Sequence, residues 1–251
     1  MKHTVRSFAI LATSALGVHL FYIEFIRPKA EIVIEAARRA GQSAPREWVV
    51  ILKDWEQEIC IILMLFCIVQ IVLKLREVAK EQYLFKVDLF AAADQEETPL
   101  ADTLEELESL PDHIGRTQLL ETLKASLRRY RITEDVQNTS DAIQTSVEAL
   151  SMRLEADNTM IRYVIWAIPS IGFIGTVRGI GTALSQADKA LAGDISDMTA
   201  SLGIAFNSTF VALVISIVLM LLLHSLQRAQ DKRLVDIQNY CEEFLLKRIS
   251  R

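Results

Sequence analysis

The sequence predicts an all-α polytopic membrane protein: four transmembrane helices carrying long cytoplasmic helical extensions. Three observations predict it. The 251 residues are 51% hydrophobic, and the apolar residues gather in blocks instead of the mosaic of a soluble core. The clearest blocks, residues 161–184 and 198–223, are each long enough to cross about 30 Å of hydrocarbon. The polar stretches between blocks repeat at three and four residues, and no alternating strand pattern interrupts them.

Residues 1–26 form the first span, with a nearly continuous apolar run from Phe8 to Ile26 behind Lys2 and Arg6. No clear small-x-small cleavage site follows, so an uncleaved span is expected rather than a signal sequence. Residues 27–58 read as an outer, periplasmic loop with short helices and the start of span two. Pro28 opens a segment that Gly41 closes, a helix-start and helix-stop pair, and Pro45 opens another through Trp48 and Trp55, aromatic residues of the interfacial belt. Residues 59–73 form the second span. The stretch 74–160 is a cytoplasmic helical region with an acidic break at residues 94–98 and a turn at Pro111. Within it Ile143, Val147, Leu150 and Leu154 mark an amphipathic helix running without Gly or Pro into the third span. A short outer loop, 185–197, joins the third span (161–184) to the fourth (198–223). In the tail, 224–251, Leu226, Leu234, Ile237, Cys241 and Phe244 share one face. These long helices are expected to bundle and shield their stripes.

Charge gives the orientation, because Lys and Arg collect on the cytoplasmic side. Residues 74–160 carry ten basic residues and the tail six, whereas the loop between spans three and four holds only Lys189. Both long polar segments and both termini are therefore assigned to the cytoplasm. The outer loop 27–58 has six basic residues offset by six acidic ones.

Several function classes are disfavoured. A net charge of -5 spread among helices gives no nucleic-acid footprint. Cys60, Cys67 and Cys241 are not placed as a disulfide pair, and the histidines, at positions 3, 19, 113 and 224, have no paired ligand spacing. With no phosphate-binding glycine loop or nucleophile elbow, the chain is expected to be no enzyme and to hold no cofactor or metal.

The third span places Pro169, Gly172, Thr176, Gly179 and Ala183 on one face, and the fourth does the same with Ala205, Thr209, Ala212 and Ser216. Small and hydroxyl residues concentrated on one side of an apolar helix look at protein or water, not lipid. Periodicity alone leaves two readings level: walls of a narrow ion path, or close helix packing helped by the Gly175-x-x-x-Gly179 spacing.

The run Ile168-Pro-Ser-Ile-Gly-Phe-Ile-Gly-Thr-Val-Arg-Gly-Ile-Gly181 resembles the third-span motif of the MotA/TolQ/ExbB proton-channel subunits. Ala205-Phe-Asn-Ser-Thr-Phe-Val-Ala-Leu-Val-Ile-Ser-Ile217 is similar to that family's fourth-span motif. The resemblance covers roughly residues 59–245 and includes the long insertion between spans two and three. It implies a homo-oligomer, a pentamer, in the bacterial inner membrane. This ring surrounds two copies of a single-span MotB/ExbD/TolR-like subunit whose membrane aspartate carries the ion and drives relative rotation of the two rings. Thr176 and Thr209 match the family's pore hydroxyls and Pro169 its third-span proline. The glutamate that ExbB- and TolQ-like members carry five residues before the fourth-span threonine is Ile204 here. That departure implies that the titrating acid comes from the partner. Among this chain's own acids, Asp188, Asp194 and Asp197 read as nearest to the motifs, in or beside the outer loop.

Thr176, Thr209, Ala205, Ala212, Ser216, Pro169, Gly172 and Gly179 are therefore the candidate ion-pathway residues, with Ala205 and Ala212 facing the partner helices. Arg178 is a possible gate at the pore mouth, paired with Asp194 or Asp197, or merely snorkelling. Threonine hydroxyls and carbonyls can ligate sodium, but few other polar groups surround Thr176, which favours protons. Glu24 reads as an interfacial carboxylate paired with Arg27; Gln70, His19 and His224 as interhelical hydrogen-bond or interface residues; Asn207 and Ser208 as contacts to a neighbouring subunit. Two alternatives stay open. In a scaffold or receptor the stripes only pack, and a transporter would show an inverted repeat or broken helices, which are not evident here.

Overall fold

The computed structural model describes residues 2–40, 47–87, 89, 100–111, 115 and 117–250, and no strand occurs among them. Four helices are long and apolar enough to cross a membrane: Val5–Arg39, Trp55–Lys80, Val136–Ser185 and Ser196–Ile249. The all-α, four-span fold class is thus the one the sequence predicts. Gly41, Pro45, Phe90, His113 and the acidic break at 94–98 lie outside the described residues.

The chain divides into two compact units, Met1–Val72 with Met160–His224, and Leu73–Thr159 with Ser225–Arg251. In the first, α1 (Lys2–Phe21) passes through a π-helical segment, Tyr22–Ile26, into α2 (Arg27–Arg39). The sequence reading opens a new segment at Pro28, whereas the helical path runs on. The physical reason is local: the Arg27 amide reaches back to the Tyr22 carbonyl, a wider turn placed just before the residue that has no N–H to give. Val18, Tyr22 and Ile26 pack against Leu52, Ile61 and Ile62. Ala30 of α2 packs with Val49 and Val50 of α3 (Trp48–Leu52). Phe25 stacks on Trp48 with centroids 6.2 Å apart, and the Lys29 ammonium sits 3.8 Å from the Phe25 centroid. Gln70 on α4 (Trp55–Lys80) donates to Ser7 on α1 at 2.9 Å, the interhelical bond expected of it.

The second unit has its own core. Leu104 and Leu107 of α5 (Leu100–Ser109) meet Leu119, Leu120, Leu123 and Leu127 of α6 (Gln118–Thr133). Ile143 and Leu150 of α7 (Val136–Ser185) join them, as do Ile237 and Tyr240 of α9 (Ser196–Tyr240) and Leu245 beyond it. The amphipathic stripes read from the sequence, 143-147-150-154 and 234-237-241-244, supply much of this core. α6 ends on Glu134 in the left-handed conformation, and Asp135 then caps α7, accepting the Asn138 amide at 3.0 Å. Helix α8 (Ala187–Leu191) occupies the link between α7 and α9.

Arg233 is nearly enclosed, bonding Glu81 at 3.3 Å and also Gln118. Burial holds the Glu81 carboxyl above its usual range although Arg233 pulls it down. Asn158 donates to Gln230 at 2.6 Å. Tyr240 donates its hydroxyl to the Val87 carbonyl at 2.8 Å and accepts the Leu89 amide at 2.9 Å. All three cysteines are free and buried, as expected, and burial pushes the Cys241 thiol up to about 12.

Leu120 is 0% exposed and Ile132 is 77% exposed. Leu120→Ala is expected to cost about 2–5 kcal/mol and to lower the thermal midpoint of the protein in detergent, measured by loss of helical circular dichroism. Ile132→Ala should leave that midpoint where it is.

Candidate functional site

Gly172, Gly175 and Gly179 lie at spacings of three and four on α7, so they form one bare strip. α9 runs antiparallel along it. A Cβ on Gly172 would stand 2.5 Å from the Ala212 Cβ, on Gly175 2.5 Å from the Ser208 Cβ, and on Gly179 2.8 Å from the Ala205 Cβ. The strip is therefore filled, and Ala205 and Ala212 are 0% exposed. They do not present a surface to a partner helix, as the sequence reading expected, because the glycines of their own chain draw the two backbones together over them. The methyl of Ala183 is also buried.

At the edge of this contact stand Thr176 and Thr209, both half-buried. Their hydroxyl oxygens meet each other, and each also reaches a carbonyl of the opposite helix, Thr176 that of Ala205 at 3.0 Å and Thr209 that of Gly172 at 3.2 Å. Thr176 also reaches the Gly172 carbonyl of its own helix at 3.4 Å, so two protons serve four contacts and the couple can be proton-donating in either direction. Two turns away, Pro169 and Ser216 prove to be parts of a single arrangement. Pro169 lacks the N–H that the Ile165 carbonyl would accept in an unbroken helix, and the Ser216 hydroxyl donates to that carbonyl at 3.2 Å instead. The hydroxyl is thus the repair of a proline break inside an apolar environment, where an unmet carbonyl is costly.

Arg178 is not paired with Asp194 or Asp197. It forms a two-pronged ion pair with Glu56 on α4, Nε to Oε1 at 2.7 Å and Nη2 to Oε2 at 2.9 Å. Asp197 instead meets Lys189 at 3.6 Å, and Asp194 accepts the Ser196 amide at 3.1 Å. The loop acids are short and held close to their own helix start, while Glu56 lies directly across from Arg178. Glu56 is 0% exposed, and its Cγ lies 3.2 Å from the position a Gly175 Cβ would take. Asp188, Asp194 and Asp197 are therefore not the acids nearest the motif. Gln57 donates to Ser208 at 3.3 Å, so Ser208 is engaged within the chain. Arg27 pairs with Glu58 at 2.6 Å rather than with Glu24, which is exposed.

The sequence holds a signal for Glu56 that counting it among the charges of the loop 27–58 hides. Glu56, Gln57 and Glu58 are consecutive at the head of an apolar run, and three consecutive helical positions span some 200° of circumference. A helix packed among others cannot turn all three to water. A lone Arg within an apolar span also needs an acid from somewhere. Among the described residues no cluster of His, Cys, Asp and Glu is arranged to hold a metal ion.

Gly172→Ala should force the helices apart by overpacking, at about 1–3 kcal/mol, whereas Gly181→Ala, with open space at its Cβ position, should not. Arg178→Ala strands a buried carboxylate and is expected to cost about 3–5 kcal/mol. Unfolding midpoints of the three variants in detergent check both statements.

Residues 115–239 match the family model described as the MotA/TolQ/ExbB proton channel family. That is about half of the chain, and it holds both motif runs; the resemblance read from the sequence reaches further, to 59–245. Compared with curated proteins and with solved structures, the chain matches none. With four helices able to span a membrane and this match over the paired motif helices, the chain is a multi-pass membrane protein that belongs to the MotA/TolQ/ExbB proton channel family.

Proposed function

We propose that this chain is the ring-forming subunit of a rotary motor in the inner membrane, a pentamer around two copies of a single-span MotB/ExbD/TolR-like partner. Its two long polar segments and both termini lie in the cytoplasm, in keeping with their basic residues. The observation that carries the reading is the Thr176–Thr209 couple: two hydroxyls held together at the edge of a glycine-tight helix pair, in the region matched to a proton-channel family.

The mechanism follows from what such a couple can do. A partner aspartate is costly to bury while ionised, so beside Thr176 and Thr209 it takes up a proton or is held by hydroxyl hydrogen bonds. Once neutral it slides past the apolar surface formed by Phe173, Val177, Phe206 and Phe210, which are exposed in the single chain. Each elementary charge crossing the membrane field releases about 2.3 kcal/mol per 100 mV, several times thermal energy, which biases the direction of stepping. Protons fit better than sodium because few polar groups besides the two hydroxyls and the Ala205 and Gly172 carbonyls meet at the couple, leaving few oxygens to replace a hydration shell.

A second reading, a scaffold whose small-residue faces only pack, is favoured by the enclosure of Ala205 and Ala212 against glycines. The two readings separate at the hydroxyls. Thr176→Val with Thr209→Val keeps the shape and removes the hydrogen bonds. In liposomes holding this chain with its partner, the double variant is expected to lose proton flux by at least about a hundredfold, the scale of a positioned proton-transfer group, with assembly retained. Unchanged flux would favour the scaffold.

A further inference from the structure

Glu58 is a second enclosed carboxylate, 6% exposed, that takes no part in the hydroxyl couple or the glycine contact. Its oxygens have separate partners: Oε2 accepts from Arg27 at 2.6 Å, and Oε1 lies 2.6 Å from His19 Nδ1. Two lone pairs would repel at that distance, so Nδ1 is the donor and carries a proton. The His19 side chain is 52% exposed and that of Glu58 8%, so the imidazole joins the surface to the interior. Beside them Tyr22 is 1% exposed, and its hydroxyl has no hydrogen-bond partner among the described residues. That hydroxyl lies within the electrostatic reach of Glu58, Cys60, Arg27 and Asp54. An ion-pair clamp between α2 and α4 needs neither the half-exposed imidazole nor the unmet hydroxyl. Buried polar atoms left unpaired beside a carboxylate are the setting in which proteins hold ordered water.

We infer that His19 and Glu58 form a proton-uptake site within the subunit, in which an internal water beside Tyr22 hydrates the acid. The inference rests on the proton-channel reading above. A hydronium at the exposed imidazole gives its proton to Nε2 and becomes water, as the Nδ1 proton passes to Glu58 Oε1. The imidazole stays neutral in its other tautomer, and the carboxylate becomes a neutral acid that releases Arg27. The charged and titratable groups around this step are Arg27 on α2, Tyr22 just before it, and Asp54, Cys60 and the Glu56–Arg178 pair on the α4 side.

His19→Gln separates this role from a clamp, because the amide still donates to Glu58 but cannot accept a proton at one atom while giving one up at another. With the single-span partner in liposomes, proton flux of His19→Gln is expected to fall at least about tenfold at neutral pH on the His19 side and to recover toward wild type as that side is acidified. Flux equal to wild type at every pH, or lost equally at every pH, overturns the inference. A wild-type complex that carries no protons would instead overturn the channel reading. A second measurement needs no partner. The infrared carbonyl band of protonated carboxyl groups should grow on acidification of the isolated chain, lose a component in Glu58→Gln and keep it in Glu24→Gln. A band indifferent to Glu58→Gln sinks the proposal.

Discussion

The close approach of α7 and α9 over Gly172, Gly175 and Gly179 is the constraint from which the rest of the membrane unit follows. Without side chains on α7 along that strip, Ala212, Ser208 and Ala205 seat directly on its backbone. Only at that separation do short hydroxyls reach across. Thr176, Thr209 and Ser216 each bond a carbonyl of the opposite helix, which a pair separated by ordinary leucine-sized side chains would put out of reach. The functional candidates are thus products of packing, not additions to it.

A second layer of order is electrostatic. Three consecutive polar residues at the start of α4 turn to three different neighbours: Glu56 to Arg178, Gln57 to Ser208 and Glu58 to Arg27 and His19. Each pairing ties α4 to a different helix of the unit. In a bilayer, where apolar side chains gain little by leaving lipid for one another, such directional bonds carry a larger share of the specificity than they would in a soluble core. Fixing the head of α4 in this way also fixes the flank of α7 opposite the threonine couple.

What could be read from the sequence was whatever local spacing determines. The four spans, the stripes of α7 and α9, and the amphipathic faces that build the cytoplasmically assigned core are all periodic, and all are present. Which way a small residue looks is a different kind of question. Ala205 and Thr209 differ by four positions on one stripe, yet one is enclosed and the other stands at the edge, because the partner strip on α7 is narrower than the stripe itself. Long-range pairing was also hidden: Arg178 and Glu56 are 122 residues apart, and charge counting assigned Glu56 to a loop. The bond between Ser216 and the Ile165 carbonyl could in principle have been anticipated from Pro169, since the freed acceptor is always four residues back. Choosing its donor required the register of the two helices.

That register has a mechanical meaning. Slipping α9 along α7 by a single residue, about 1.5 Å, would move Ala212, Ser208 and Ala205 off their three glycine seats and carry Ser216 away from the one carbonyl that lacks a helical donor. Four independent detents therefore release together or not at all. A pair locked in this way cannot absorb a push by creeping internally. Force applied to its outward face is transmitted as movement of both helices together, with the stiffness of a two-ply beam rather than of two rods sliding past each other.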